Sequence, residues 1–140
     1  MSISQVRTFI KQQIALVDPN LKEHLDLSDE NIPQTILDEH YHIEYGSSSD
    51  SQDDNAFQTS QSVTVKLFKR GFNKPITAMD TIIDKAHEIR RCIISTTATL
   101  GDDMLKVESI SLTPEPIDET NDNTIKISLE FNIRLYFATV

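Results

Sequence analysis

An α+β domain of helix, hairpin, helix, hairpin order (αββαββ) is what this sequence predicts, and three observations predict it. Residues 124–137 alternate, with Ile125, Ile127, Leu129, Phe131, Ile133, Leu135 and Phe137 on one phase and Thr124, Lys126, Ser128, Glu130, Asn132, Arg134 and then Tyr136 on the other. That period of two places one face of a strand on a core and leaves the other wet. Two further stretches, residues 2–17 and 77–95, carry apolar residues at helical spacing instead. Polar, small and proline-containing segments separate the periodic ones. Two hairpins side by side make a four-stranded, mostly antiparallel sheet, and two amphipathic helices cover one of its faces. A chain of 140 residues fits a single domain spanning residues 1–140, with one core.

The first helix carries Ile3, Val6, Ile10, Ile14 and Val17 on its apolar side with Phe9 beside them, Lys11, Gln12 and Gln13 are expected on its remaining surface, and Ser2 with Gln5 has capping-box spacing. Asp18-Pro19-Asn20 stops it. Residues 21–33 read as a polar connector with scattered leucines. From Leu37 onward, Tyr41, Ile43 and Tyr45 alternate with His40, His42 and Glu44, a strand that closes at Gly46. The segment GSSSDSQDDN, residues 46–55, is too small and polar to pack and reads as a mobile hairpin loop. Residues 62–70 return as a strand with Val63, Val65 and Leu67 inward.

Gly71 and Pro75 break the pattern. Thr77 with Asp80 then has a second capping-box spacing, and Met79, Ile82, Ile83, Ala86, Ile89 and Ile93 follow the helical rule to about Ser95. Asp80 and Asp84 near its start and Arg90 and Arg91 near its end suit the helix dipole. Residues 96–103 are loop. In residues 104–113 Leu105 and Val107 share one phase while Ile110 and Leu112 share the other, which a bulge near Glu108 reconciles. Pro114 and Pro116 end that strand, and an acidic loop leads to the final one. Fourteen residues of strand span roughly 48 Å, so the last strand is expected to project past the core and to seek a partner outside its own domain.

The formal charge of −9 disfavours a groove that tracks nucleic-acid phosphates, which takes clustered Lys and Arg. The charge is also unevenly placed. Asp50, Asp53 and Asp54, then Asp102 and Asp103, then Glu115, Asp118, Glu119 and Asp122 lie in three segments without Lys or Arg. These nine acids equal the whole net charge, because the other 13 acids match the 13 bases. Two readings stay open: solvated loops that carry whatever charge is available, or a negative surface that repels phosphate or meets a basic partner.

Cys92 is the only cysteine, so no intrachain disulfide forms and a reducing compartment is expected. The start lacks a basic segment followed by an apolar core, and no run nears the roughly 18 apolar residues of a membrane span. A soluble, intracellular protein is expected. The triplet His40, His42 and Glu44 lies on one strand face, with neighbours roughly 7 Å apart. It could hold a metal only with help from another strand, so the plain alternative is the polar side of a half-buried strand. Cys92 beside Arg91 reads as a structural thiol rather than a reactive one. No phosphate-cradling glycine loop, nucleophile elbow or rigidly held acid pair is present, which argues against an enzyme and against a cofactor.

The stretches FIKQQI, VTVKLFKRGF, AMDTIIDKAHEIRR and SLTPEP, with the ending NDNTIKISLEFNIRLYFATV, resemble the small tail terminator (tail completion) proteins of long-tailed bacteriophages. The resemblance lies in element order, length and closing strand, and it covers nearly the whole chain. It implies a structural virion protein of the tail or neck, assembled in the host cytoplasm, whose hexameric ring caps the tail tube and ends its polymerisation. The implied partners are further copies of the chain, the tail tube protein and a head-tail connector or neck protein, with DNA passing through the lumen unbound. No functional residue is carried over. The nine acids would suit such a lumen. The alternatives are another neck or head-closure component, or a ligand- or metal-binding module built on His40, His42 and Glu44.

Overall fold

The computed structural model describes residues 3–23, 40–53, 56–95, 99–100, 103–117, 119 and 123–138. Along the chain these form α1 (Ile3–Val17), β1 (Lys22–Glu23), β2 (His40–Asp53), β3 (Ala56–Arg70), α2 (Pro75–Ser95), β4 (Thr99–Leu100), β5 (Asp103–Pro114) and β6 (Thr124–Ala138). The helix, hairpin, helix, hairpin order is therefore present, and the sheet is larger than expected. It has six strands in the order β1-β2-β3-β6-β5-β4. The four long ones are antiparallel throughout, while β1 runs parallel to β2 and makes the sheet mixed. The two additions are two-residue strands in stretches that read as connector and loop. Pairs so short leave no periodicity in a sequence.

Two further expectations are corrected. Residues 46–53 are not a loop: β2 pairs with β3 as far as Asp53↔Ala56. Ladder bonds need only backbone groups, so a stretch polar on both faces can still be strand. Nor does the long strand lack partners. β6 lies in the middle of the sheet, paired with β3 from Arg70↔Thr124 to Ala56↔Ala138 and with β5 on its other side. Its neighbours β3 and β5 have 15 and 12 residues.

One face of the sheet carries the core. Tyr41, Ile43, Val63, Val65, Leu67, Ile127, Leu129, Phe131 and Ile133 join Val6, Phe9, Ile10 and Ile14 of α1 and Ala78, Ile82, Ala86, Ile89 and Ile93 of α2 in one buried cluster. Ile83, expected inside, packs at its margin. Phe68 is buried on the opposite face, outside this cluster, under the Lys126 ammonium 5.9 Å from its ring centre.

The helix ends have particular chemistry. At the close of α1 the Asp18 amide donates to Ile14 at 2.9 Å and the Asp18 carboxylate accepts from the Asn20 amide at 2.9 Å. Lys85 of α2 reaches that carboxylate at 2.6 Å, joining the two helices. The Lys85 hydrogen bond is the main reason that the Asp18 carboxyl titrates below its ordinary value of 3.8; burial opposes it. Ser2 lies outside the described residues. Helix α2 starts at Pro75 rather than at Thr77, with proline in the first helical position where its missing N–H costs nothing. Asp80 thus falls beyond the first turn and Arg90 and Arg91 before the last, where the helix dipole has little hold on them.

β3, α2 and β6 meet in one tight junction. The Gly71 amide donates to Asn123 at 3.0 Å, the Lys74 amide donates to Gly71 at 2.9 Å, and the Asn123 side-chain amide donates to the Phe72 carbonyl. Phe72 and Asn123 both adopt left-handed backbone, with φ of 49° and 54°. A side chain on Gly71 would stand 2.8 Å from Pro75 Cα and 2.9 Å from the Asn123 carbonyl oxygen, both backbone. Gly71→Ala is therefore expected to destabilise the fold by about 1 to 3 kcal/mol, measurable by denaturant unfolding. Phe131, only 3% exposed, tests the core: Phe131→Asp should cost more than about 3 kcal/mol. A soluble Phe131→Asp variant with a cooperative unfolding transition would overturn this core assignment.

Candidate functional site

Among the described residues, the features best placed to meet a partner are the two long edges of the sheet and the ends of its strands. β2 is flanked on its outer side by β1 only at His40 and Tyr41. β5 is flanked on its outer side by β4 only at Met104 and Asp103. Beyond those pairs neither edge has a ladder partner among the described residues, and an open edge is a template for another strand.

Both edges are shaped at the same level. In β2 the register shifts between Tyr45 and Ser48, so Gly46 and Ser47 stand opposite Ser62. In β5 it shifts between Val107 and Ile110, so Glu108 and Ser109 stand opposite Asn132. Ser62 and Asn132 are themselves paired. The two bulges therefore lie in one row across the sheet. The bulge predicted near Glu108 is present, and it has a counterpart at Gly46, where the sequence pattern alone predicts the end of a strand.

Gly46 suits that position because a side chain there would sit 3.0 Å from Ser62 Cβ and Oγ. Gln61, buried beside it, donates through Nε2 to the carbonyls of Gly46 and Ser62, each at 2.9 Å. On the polar face, Ser62, Ser111, Glu130 and Asn132 line a shallow depression along the same row. It holds hydroxyls, an amide and a carboxylate, with no imidazole or thiol among its lining residues to make a nucleophile and base pair.

Helix α2 begins at the Arg70 and Thr124 end of the sheet and has 21 residues. It is about 31 Å long and so covers at most about nine rows of pairs. Ile133, nine residues past Thr124, is fully buried. The rows beyond it, with Phe57↔Phe137, Thr59↔Leu135 and Leu105↔Leu135, lie out of reach of α2. The sheet thus extends past its helix as a ribbon, starting near the bulge row.

The predicted acidic residues divide between the two ends. Asp50, Asp53 and Asp103 lie on the extended end, where Asp53 pairs with Ala56 and Asp103 with Leu100. Glu115 and Glu119 lie at the other, where the Glu115 amide donates to Lys126 at 2.9 Å just past the last β5–β6 pair. Asp54, Asp102, Asp118 and Asp122 fall outside the described residues. Among the described residues, the three acidic segments therefore do not form one surface within a single chain.

His40, His42 and Glu44 do share a face. His42 is buried, its Nε2 3.6 Å from a Glu44 carboxylate oxygen that Lys66 also approaches at 3.5 Å. A lysine ammonium thus stands at the carboxylate that a metal would need. Among the described residues no three of His, Cys, Asp and Glu gather in metal-holding geometry. Cys92 is half-buried on α2 and makes no disulfide. Among the described residues no helix is long and apolar enough to cross a membrane.

The edge carries one charge cluster that the sequence did not reveal. Glu23 of β1 receives Arg7 Nε and Lys11 Nζ, each at 3.1 Å, which ties β1 to α1. Arg7 also lies 5.9 Å from the centre of the Tyr45 ring. Its signal would have been a pair of bases one helical turn apart in α1, but their acid is distant in sequence.

No protein-family model matches the chain, and no curated protein matches it in sequence. Among solved structures, the chain is similar to one described as belonging to the virion of a native gene transfer agent particle. The two share a fold, with a TM-score of 0.57 over 91% of this chain and 92% of the other, at 10% sequence identity.

Burial pushes the Tyr41 phenol up to about 12; the Glu23 carboxylate adds to this and Arg7 opposes it. Burial also raises Tyr45 above its ordinary 10.0. A phenol whose pKa is higher folded than unfolded contributes stability that is complete below about pH 10 and lost as pH rises towards 12. Alkaline unfolding should therefore begin in that window, together with tyrosinate absorbance, and Tyr41→Phe should lose less stability across it than wild type.

Proposed function

We propose that this chain is a structural subunit of a phage-type virion, a tail terminator that closes as a hexameric ring on the tail tube. The ring ends tube polymerisation and offers its outer side to a head connector or neck protein. The observation that carries this reading is the fold likeness to a virion-particle chain over more than nine-tenths of both chains. The resemblance of the closing strand and element order to tail terminators points the same way. So do the two different edges that are open among the described residues, because a head-to-tail contact uses two patches per subunit and a ring that closes leaves none unsatisfied. Closure is also how a polymer end stops growing.

The charge distribution fits this role. With Asp50, Asp53 and Asp103 on the extended ribbon, six copies would set a ring of acids at one level. DNA sliding through such a lumen is repelled rather than held, since phosphate binding takes Lys and Arg. The same charge opposes assembly. Six copies of a chain carrying −9 total about −54, and their repulsion weakens once salt screens charges beyond about 8 to 10 Å.

Assembly should therefore depend on salt: monomeric at 15.9 kDa in dilute, low-salt buffer, and hexameric at higher salt or on tail tubes. Light scattering coupled to gel filtration, across salt and concentration, measures this. A mass fixed at the monomer value throughout, with tail tubes neither bound nor shortened, would sink the terminator reading.

A further inference from the structure

Resting on the ring reading, we propose which surfaces make the ring: the outer edge of β5 in one copy pairs antiparallel with the outer edge of β2 in the next, bulge opposite bulge. The direction follows from the sheet itself. β2 is antiparallel to β3, β3 to β6 and β6 to β5, so β2 and β5 point in opposite directions. A rotation about an axis along the strands keeps every direction. It sets β5 of one copy beside an oppositely running β2 of its neighbour and continues the antiparallel pattern across the joint.

Among the described residues, the open lengths also correspond. β1 covers the β2 edge at the Thr124 end of the sheet, and β4 covers the β5 edge at the Ala138 end. Between these blocks, residues 42–50 of β2 and 105–113 of β5 occupy the same rows, as the pairings through β3 and β6 show. A joint with no step along the axis brings these two segments together and no others. It produces a flat ring rather than a rising helix.

The residues then match row by row. Through the intervening strands, Leu112 shares a row with Ile43, Ile110 with Tyr45, Ser111 with Glu44, Val107 with Ser48 and Lys106 with Ser49. On the core face, Ile110 and Leu112, each half-buried, meet Ile43 and a Tyr45 that is 37% exposed in the single chain. An aromatic against a β-branched residue is a favourable cross-strand pair. On the other face, polar residues meet polar ones. A slip of one residue sets apolar against polar. A slip of two keeps the faces but opposes each bulge to a regular pair, so the shared bulge row selects a single register.

The full chain carrying Cys92→Ser, Ser111→Cys and Glu44→Cys tests this, first weighed by light scattering and then oxidised under assembling conditions. The expected result is a reducible covalent ladder reaching six subunits. The offset pair Ser111→Cys with Ser49→Cys should stay monomeric on a non-reducing gel. A hexameric mass without cross-linking of the in-row pair, or with equal cross-linking of the offset pair, overturns this interface while leaving the ring intact. A monomeric mass under every condition removes the ring itself, and the interface with it. Independently, Tyr45→Asp should weaken assembly at least tenfold while keeping the native circular dichroism spectrum. Assembly of Tyr45→Asp at the wild-type concentration would overturn the proposal as well.

Discussion

The pairing of β3 with β6 is the constraint on which the rest of the structure depends. It runs without a register shift from Ala56↔Ala138 to Arg70↔Thr124, whereas the pairings of the outer strands β2 and β5 are each interrupted once. Its inward residues, Val63, Val65 and Leu67 against Ile127, Leu129, Phe131 and Ile133, form the floor of the core and are all buried. Burying one such side chain contributes roughly 1.5 to 3 kcal/mol, so the floor anchors both helices. It also transmits register. The rows in which β2 and β5 stand level are defined only through β3 and β6.

That rigid centre lets the outer strands deviate. An extra residue in each outer strand, opposite Ser62 and Asn132, bends the strand and increases its twist locally. At this level α2 runs out, because a helix rises 1.5 Å per residue where a strand rises more than twice that. The sheet thus changes from a helix-backed layer to a ribbon at a single row. Gly46 permits the close approach and Gln61 fixes it with two hydrogen bonds.

Charge and backbone geometry finish the ends. At one end Gly71, Phe72 and Asn123 form a junction that only a residue without Cβ can fill at its centre. At the β2 edge Glu23, gripped by Arg7 and Lys11, keeps the two-residue β1 in place. A strand that short has too few ladder bonds to hold itself.

The sequence by itself determined the two helices, the antiparallel hairpins, the inward phase of Ile125 to Ile133 and the bulge near Glu108, because each leaves a period in side-chain polarity. It also determined that the net charge resides in three acidic segments, since charge is a property of composition. Only the tertiary structure decided that residues 46–53 are strand, since backbone pairing leaves no trace where both faces are polar. It alone placed β6 at the centre instead of at an edge, because adjacency depends on which hairpin faces pack together. The division of the described acids between the two ends of the sheet, and the alignment of two bulges far apart in sequence, are likewise relations between strands. Local pattern reports what each residue prefers, and it holds no information about which distant residue stands opposite.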